Sequence, residues 1–159
     1  MQRYLLPALV AANCLLIVAG WAMAVVAYPR LPSPILLWIN LLGQPLLWLK
    51  KTPAFFLYPL AQVCLASLFA FASLSPRIPS RIDDEKLRQK LRYLWKEQAW
   101  TALIFFNLIL IHLERSIIFL SHGLEEGLNP VYFLILFLLL FFLIPAYRLR
   151  ARLELSAKR

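Results

Sequence analysis

Acidic residues are scarce in this chain: 8 Asp+Glu stand against 17 Lys+Arg, and charged residues make up only 16% of 159 positions. Cysteine and histidine number two each. His112 and His122 have no cysteine or carboxylate at ligand spacing, so no metal centre is expected. Cys14 and Cys64 each lie inside an apolar run without a CxxC pair and read as packing thiols. There is no P-loop, no dinucleotide glycine motif and no G-x-S-x-G elbow, so the chain is expected to be no enzyme and to hold no cofactor. Without a basic–aromatic module, nucleic acid is not an expected partner either.

What the chain has in excess is apolar surface. At 62% hydrophobic residues, a soluble domain of this length would leave much of that surface in water. A bilayer is the fitting solvent. Four apolar stretches approach the roughly 20 residues that a spanning helix needs: about 5–27, 54–74, 100–120 and 128–146. Continuous runs of this kind are helices, because only helices or closed barrels satisfy their backbone in lipid. Ala22-Met23-Ala24 resembles a leader cleavage site, but the run around it exceeds the usual h-region of about 7–15 residues, so a retained anchor is expected.

The basic residues sort by side. Arg3, the connection bearing Arg77, Arg81, Lys86, Arg88, Lys90, Arg92 and Lys96, and the tail bearing Arg148, Arg150, Arg152, Lys158 and Arg159 fall on one side of a four-span chain. The other side holds Arg30, Lys50 and Lys51, with Arg115 close to it. Lysine and arginine mark cytoplasmic loops, which places both termini inside and residues 28–53 outside. The whole chain is then one membrane domain, with a cytoplasmic linker at 75–99 and a basic tail at 147–159.

Within the linker, Pro76 and Pro79 close the second span, and Ser80-x-x-Asp83 reads as a capping box. Leu87, Leu91, Leu94 and Trp95 then recur at helical spacing, with Arg88, Lys90, Arg92 and Lys96 on the other faces. This predicts a basic amphipathic helix running into the third span. Its expected partner is the anionic headgroup layer, or else a cytoplasmic protein docked on the same stripe.

Polar residues inside spans are functional candidates by default. Asn13 and Gln62 both fall near mid-bilayer and are expected to bond each other, with Asn107 in a similar gluing role. His112, Glu114 and Arg115 form a denser group. Glu114 and Arg115 are adjacent and do not face each other on a helix, so the expectation is snorkelling toward the outer surface with an ion pair inside the bundle. An ion or ligand site is the competing reading.

The outer segment is patterned like a folded element. Ser33-Pro34 reads as an N-cap with proline at N1 and Gly43 as a helix stop, which predicts an interfacial helix over the apolar residues between them. Trp38 and Trp48 suit the headgroup level. The pattern Tyr28-Pro29-x-Leu31-Pro32-x-x-Ile35, then Asn40-x-x-Gly43-x-Pro45, then Trp48 and Lys50, resembles the SdpI-like bacterial membrane family, a domain of unknown function. That family includes immunity proteins that protect a cell against a secreted toxin of its own kind and can sequester a repressor at the membrane. The chain departs from the motif where Trp38 replaces the usual histidine, and where Leu36, Leu46 and Leu47 replace more polar residues.

The resulting expectation is an all-α, four-span bundle of the bacterial inner membrane, with an outer interfacial helix and a basic juxtamembrane helix. The resemblance implies a non-enzymatic protein acting through contacts with a membrane protein or with a second copy of itself, of the immunity or signalling type. The alternatives are a small accessory subunit of a larger membrane complex and, more weakly, an ion-handling protein.

Overall fold

The computed structural model describes residues 2–40, 44–74, 84–125, 128 and 130–156. Four long helices dominate: α1 (Gln2–Ala27), α2 (Leu57–Leu74), α3 (Glu85–Ser121) and α4 (Pro130–Ser156). Each is long and apolar enough to cross a membrane, and the chain is a multi-pass helical membrane protein. The apolar helices end near the expected positions at the hairpin end of the bundle. At the other ends two helices run far past the lipid requirement. At about 1.5 Å per residue, the 37 residues of α3 reach about 55 Å and the 27 of α4 about 40 Å, against a hydrocarbon core of about 30 Å. The fourth span therefore does not stop at residue 146. It continues through Pro145 and carries most of the basic tail as helix.

The segment from Glu85 is helical as predicted, but it is one uninterrupted helix with the third span. A helix that crosses the bilayer cannot at the same time lie flat upon it, so the basic stretch projects beyond the membrane boundary. Asp84 caps it, its carboxylate accepting from the Lys86 and Leu87 amides, which satisfies two of the orphan donors of the first turn. The capping box at Ser80 and Asp83 lies outside the described residues. At the far end, Gly123 adopts φ +68. Its amide donates to the Leu120 carbonyl and that of Leu124 to Phe119. This is a Schellman stop, and glycine is the residue that enters the left-handed region without penalty.

The outer interfacial helix is not formed. Its place is taken by an antiparallel hairpin, β1 (Ile35–Ile39) and β2 (Pro45–Leu49). Five apolar residues are too few for periodicity to separate helix from strand. Here a second run of the same length follows, and pairing satisfies both backbones. Asn40 closes the turn: its amide donates to the Gln44 carbonyl, and its side-chain oxygen accepts from the Gln44 amide. Gly43, expected as a helix stop, lies outside the described residues. The ladder is irregular. Leu36 pairs with Trp48 but Trp38 with Leu47, leaving Leu37 as the extra residue of a bulge.

α3 is the hub. It packs against α1, α2, α4 and β1, whereas α4 rests mainly on α3. Leu103, Asn107, Leu110, Glu114, Ile117 and Ser121 recur at alternating four- and three-residue intervals on α3, and all but Leu110 are buried. That stripe faces the rest of the bundle. The amide of Asn107 donates to the Asn13 side-chain oxygen at 3.0 Å. Asn13 in turn donates to the backbone carbonyls of Trp100 and Leu9. Gln62 does not meet Asn13; it donates to the Asn107 carbonyl at 3.4 Å. Gly20 on α1 makes room for it, since a Cβ built there would collide with the Gln62 carboxamide.

The Asn13–Asn107 bond is expected to contribute about 1 kcal/mol, within the range for interhelical polar contacts in lipid. Asn107→Leu should lower the unfolding free energy by about that amount. Asn13→Leu combined with it should cost clearly less than the sum of the two, as coupled neighbours do. Reversible unfolding in mixed micelles measures both, and strict additivity would show the pair to be uncoupled.

Candidate functional site

The hairpin end of the bundle gathers most of the singled-out residues. Tyr28 and Pro29 form a short 3-10 turn with Arg30 directly after α1. The Tyr28 ring sits against Phe55 and Phe56, with centroids at 6.2 and 5.1 Å. The Lys51 ammonium lies 5.3 Å from the same ring and donates to the carbonyls of Pro29 (2.8 Å) and Leu31 (3.1 Å). Lysine 51, not Lys50, is therefore the cation that the motif uses structurally; Lys50 is exposed. Leu31 is buried and Pro32 exposed. Proline removes donors from this stretch, which leaves carbonyls open to side-chain donors. His122 uses another of them: its ring spans the Arg30 carbonyl (3.1 Å) and the Ile118 carbonyl (2.8 Å).

β1 is fastened to the bundle along one face. Ile35, Leu36 and Ile39 enter a core with Ala24, Leu31, Phe55, Tyr58, Ile117, Leu120 and Leu128. The Leu36 amide donates to the Ser121 hydroxyl at 3.0 Å, and the Tyr58 hydroxyl donates at 2.6 Å to the carbonyl of Leu37, the bulge residue. Sequence reasoning missed Tyr58, Ser121, Lys51 and His122. Each is an ordinary polar residue near a span end, and its acceptor or donor is a backbone atom that leaves no trace in residue identity.

β2 is open on both of its sides, since successive strand side chains point opposite ways and all five are exposed. Trp38, Leu46, Leu47, Trp48 and Leu49 are all exposed, with Trp38 at 56% and Leu46 at 63%. Every residue of β2 is exposed. The apolar residues of the hairpin thus divide into two kinds. Leu36 is core, whereas Trp38, Leu46 and Leu47 are surface.

Below the hairpin, Glu114 is completely buried, and neither carboxylate oxygen has a partner among the described residues. The expected snorkelling and internal ion pair are both absent for it. Its helix position turns it inward, on the stripe shared with Asn107, while the adjacent Arg115 faces out, lies over Phe119 at 4.5 Å and pairs with Glu125 at 3.8 Å. His112 points another way, its ring 4.3 Å from that of Tyr132 and 5.2 Å from Phe133 on α4. The three residues do not form one site. The spacing that would have isolated Glu114 is its heptad interval from Asn107.

At the basic end the surprise is Glu97, which is buried and receives Arg150 at 2.7 Å and the Tyr147 hydroxyl at 2.9 Å. Lys90 pairs with Glu154 at 2.9 Å, so α3 and α4 are tied by charge. Arg88 pairs with Glu85 one turn back, Arg92 is exposed, and the Trp95 indole donates to the Ala72 carbonyl. Lys96 is half-buried. The amphipathic stripe is partly spent inside the protein: Leu87 and Leu94 are buried without any lipid or partner. Among the described residues no group of histidine, cysteine and carboxylate side chains could hold a metal ion.

Comparison with known proteins adds no relative: no family model matches the chain, and neither a curated protein nor a solved structure does.

The two bonds that hold β1 can be cut separately. Tyr58→Phe and Ser121→Ala should each cost about 1 kcal/mol, the usual net value of one hydrogen bond. Together they should speed amide exchange across Ile35–Ile39 while leaving exchange around Asn107 unchanged. Equal acceleration in both regions would mean that the hairpin is not a separately fastened unit.

Proposed function

We propose that this chain is a non-enzymatic protein of the bacterial inner membrane that acts through protein contacts at its hairpin end, in the SdpI-like immunity or signalling manner. The observation that carries this reading is the contrast between the two strands of the hairpin. β1 is bonded and packed to the bundle through Ile35, Leu36 and Ile39, whereas Trp38 and the β2 residues Leu46, Leu47, Trp48 and Leu49 are exposed. A rigid apolar surface rich in tryptophan is the composition of an interaction hot spot. The charge bias of the two ends supports a cytoplasmic location for both termini and an outward hairpin. The partner is a membrane-embedded or membrane-adjacent protein, because the surface is uncharged and sits where the spans leave the lipid.

The inner end supplies the output. α3 is continuous from Ser121, bonded to the hairpin, to Glu85, so a shift of the hairpin is carried along one helix to Arg88, Lys90, Arg92 and Lys96. These residues suit anionic headgroups or an acidic cytoplasmic protein.

A second reading, an accessory subunit of a larger complex, draws on α4. That helix is held mainly by α3, and it turns Leu134, Ile135, Phe141 and Phe142 outward. The two readings separate by where the partner is lost. Purification in mild detergent should retain a partner that Trp48→Ser together with Trp38→Ser releases. Release by Phe141→Ala with Phe142→Ala instead would favour the subunit reading. Orientation is tested independently: a cysteine at Gln44 should react with an impermeant maleimide in intact cells, and a cysteine at Ser156 only after lysis.

A further inference from the structure

Glu114 is the one carboxylate on the inward stripe of α3, and the polar residues either side of it on that stripe make their hydrogen bonds to other elements, with the Asn107 Oδ1 left without a partner among the described residues. Asn107, seven residues before it, donates to Asn13. Ser121, seven residues after it, accepts from Leu36. Glu114 is 0% exposed, and both its oxygens lack a partner among the described residues.

The surrounding donors are committed elsewhere. On α2, the Tyr58 hydroxyl donates to the Leu37 carbonyl and Gln62 to the Asn107 carbonyl. On α1, the Asn13 amide is used by Leu9 and Trp100. On α3 itself, Arg115 turns out to Glu125, and His112 lies against Tyr132 and Phe133 of α4. β1 contributes only apolar side chains to the core around it. No cationic side chain among those described neutralises the group. A bare carboxylate enclosed this way is not a stable arrangement in an apolar interior; it must be neutralised or paired. Intramembrane carboxyls retained under these conditions are the usual seats of ion and proton binding.

We propose that Glu114 is the binding residue of a buried monocation site, taking up a proton or an alkali metal ion, with the β1–β2 hairpin as its roof. Ile117 and Ser121 lie between Glu114 and the hairpin on the same stripe, and both are in contact with it through the core or a hydrogen bond. Loading the site removes the charge beneath the roof and favours the packed hairpin. Emptying it favours hydration of Glu114 from the hairpin end. This assignment is independent of the protein-contact reading, because it concerns the bundle and not the exposed face of β2.

The test uses the full chain in detergent micelles. Thermal unfolding is recorded from mildly acidic to mildly alkaline pH, in sodium, potassium or N-methylglucamine at equal ionic strength, for the wild type and for Glu114→Gln, an uncharged near-isostere. The wild-type midpoint should move by at least about 4 °C across the matrix, a change of the order of 1 kcal/mol or more for a chain of this size, and the variant should stay flat. A response to sodium or potassium over N-methylglucamine identifies an alkali ion; a response to pH alone identifies a proton. Superimposable behaviour of the two proteins would overturn the site. A second measurement needs no variant: dicyclohexylcarbodiimide should modify the wild type at Glu114, mapped by peptide mass, with the identified monocation altering the rate. Modification confined to other carboxyls would count against the proposal.

Discussion

Hydrocarbon offers no hydrogen-bond partner, and this constraint organises the molecule around α3. Each element that packs on α3 must bring donors to acceptors already there, or supply acceptors to its donors. The solution recurs with little variation: a side-chain donor meets a backbone carbonyl on another element. Asn13 reaches Trp100, Gln62 reaches Asn107, Trp95 reaches Ala72 and Tyr58 reaches Leu37. A helical carbonyl keeps a second lone pair after its own ladder bond is made, so these attachments cost the helices nothing. The same device holds the outer segment, where Lys51 serves Pro29 and Leu31 and His122 spans Arg30 and Ile118. Prolines at 29, 32 and 34 ensure that this segment carries more carbonyls than amides.

That device also explains what could be read from the residues alone. Donors are visible in a sequence, because Asn, Gln, Tyr and Lys announce themselves. Their acceptors are not, because every residue carries a carbonyl. Asn13, Gln62 and Asn107 were therefore legible as interhelical glue, while the expected pairing of Asn13 with Gln62 was wrong in its partner. The spans were legible because twenty apolar residues admit one structure in lipid. The hairpin was not, because two five-residue apolar runs separated by a turn can be written as a helix with equal economy. Proline after serine signals a helix start only when enough helix follows to repay nucleation. Glu114 was legible as an intramembrane charge, but its isolation depends on a heptad relation to Asn107 that adjacency to Arg115 obscured.

The two ends of the bundle are built on different physics. The basic end is tied by ion pairs, Glu97 with Arg150 and Lys90 with Glu154; in the first the carboxylate is buried while the guanidinium stays in part exposed. Removing Arg150 would strand the buried Glu97 charge and cost more than the pair itself contributes, so this contact fixes α4 against α3 there. The hairpin end uses neutral hydrogen bonds and aromatic packing among Tyr28, Phe55 and Phe56. Those contacts are individually weaker and can be exchanged one at a time. The two ends of the bundle are thus held by different kinds of contact, charge at one and neutral bonds with aromatic packing at the other.

The departures from the resembled motif gain meaning when sorted by position. Leu36 lies in the core beneath Ser121, so its apolar character answers to packing. Trp38, Leu46 and Leu47 are instead exposed on the hairpin. An isolated exposed leucine is unremarkable on any protein; five exposed large apolar side chains on one short hairpin are a concentration that chance placement does not produce. Lipid alone would be satisfied by any of them in any order. The concentration of two tryptophans on paired strands, with Trp38 opposite Leu47 and Trp48 opposite Leu36, builds a defined shape instead. A defined shape on a fastened scaffold is what a protein partner can distinguish and a fluid bilayer cannot.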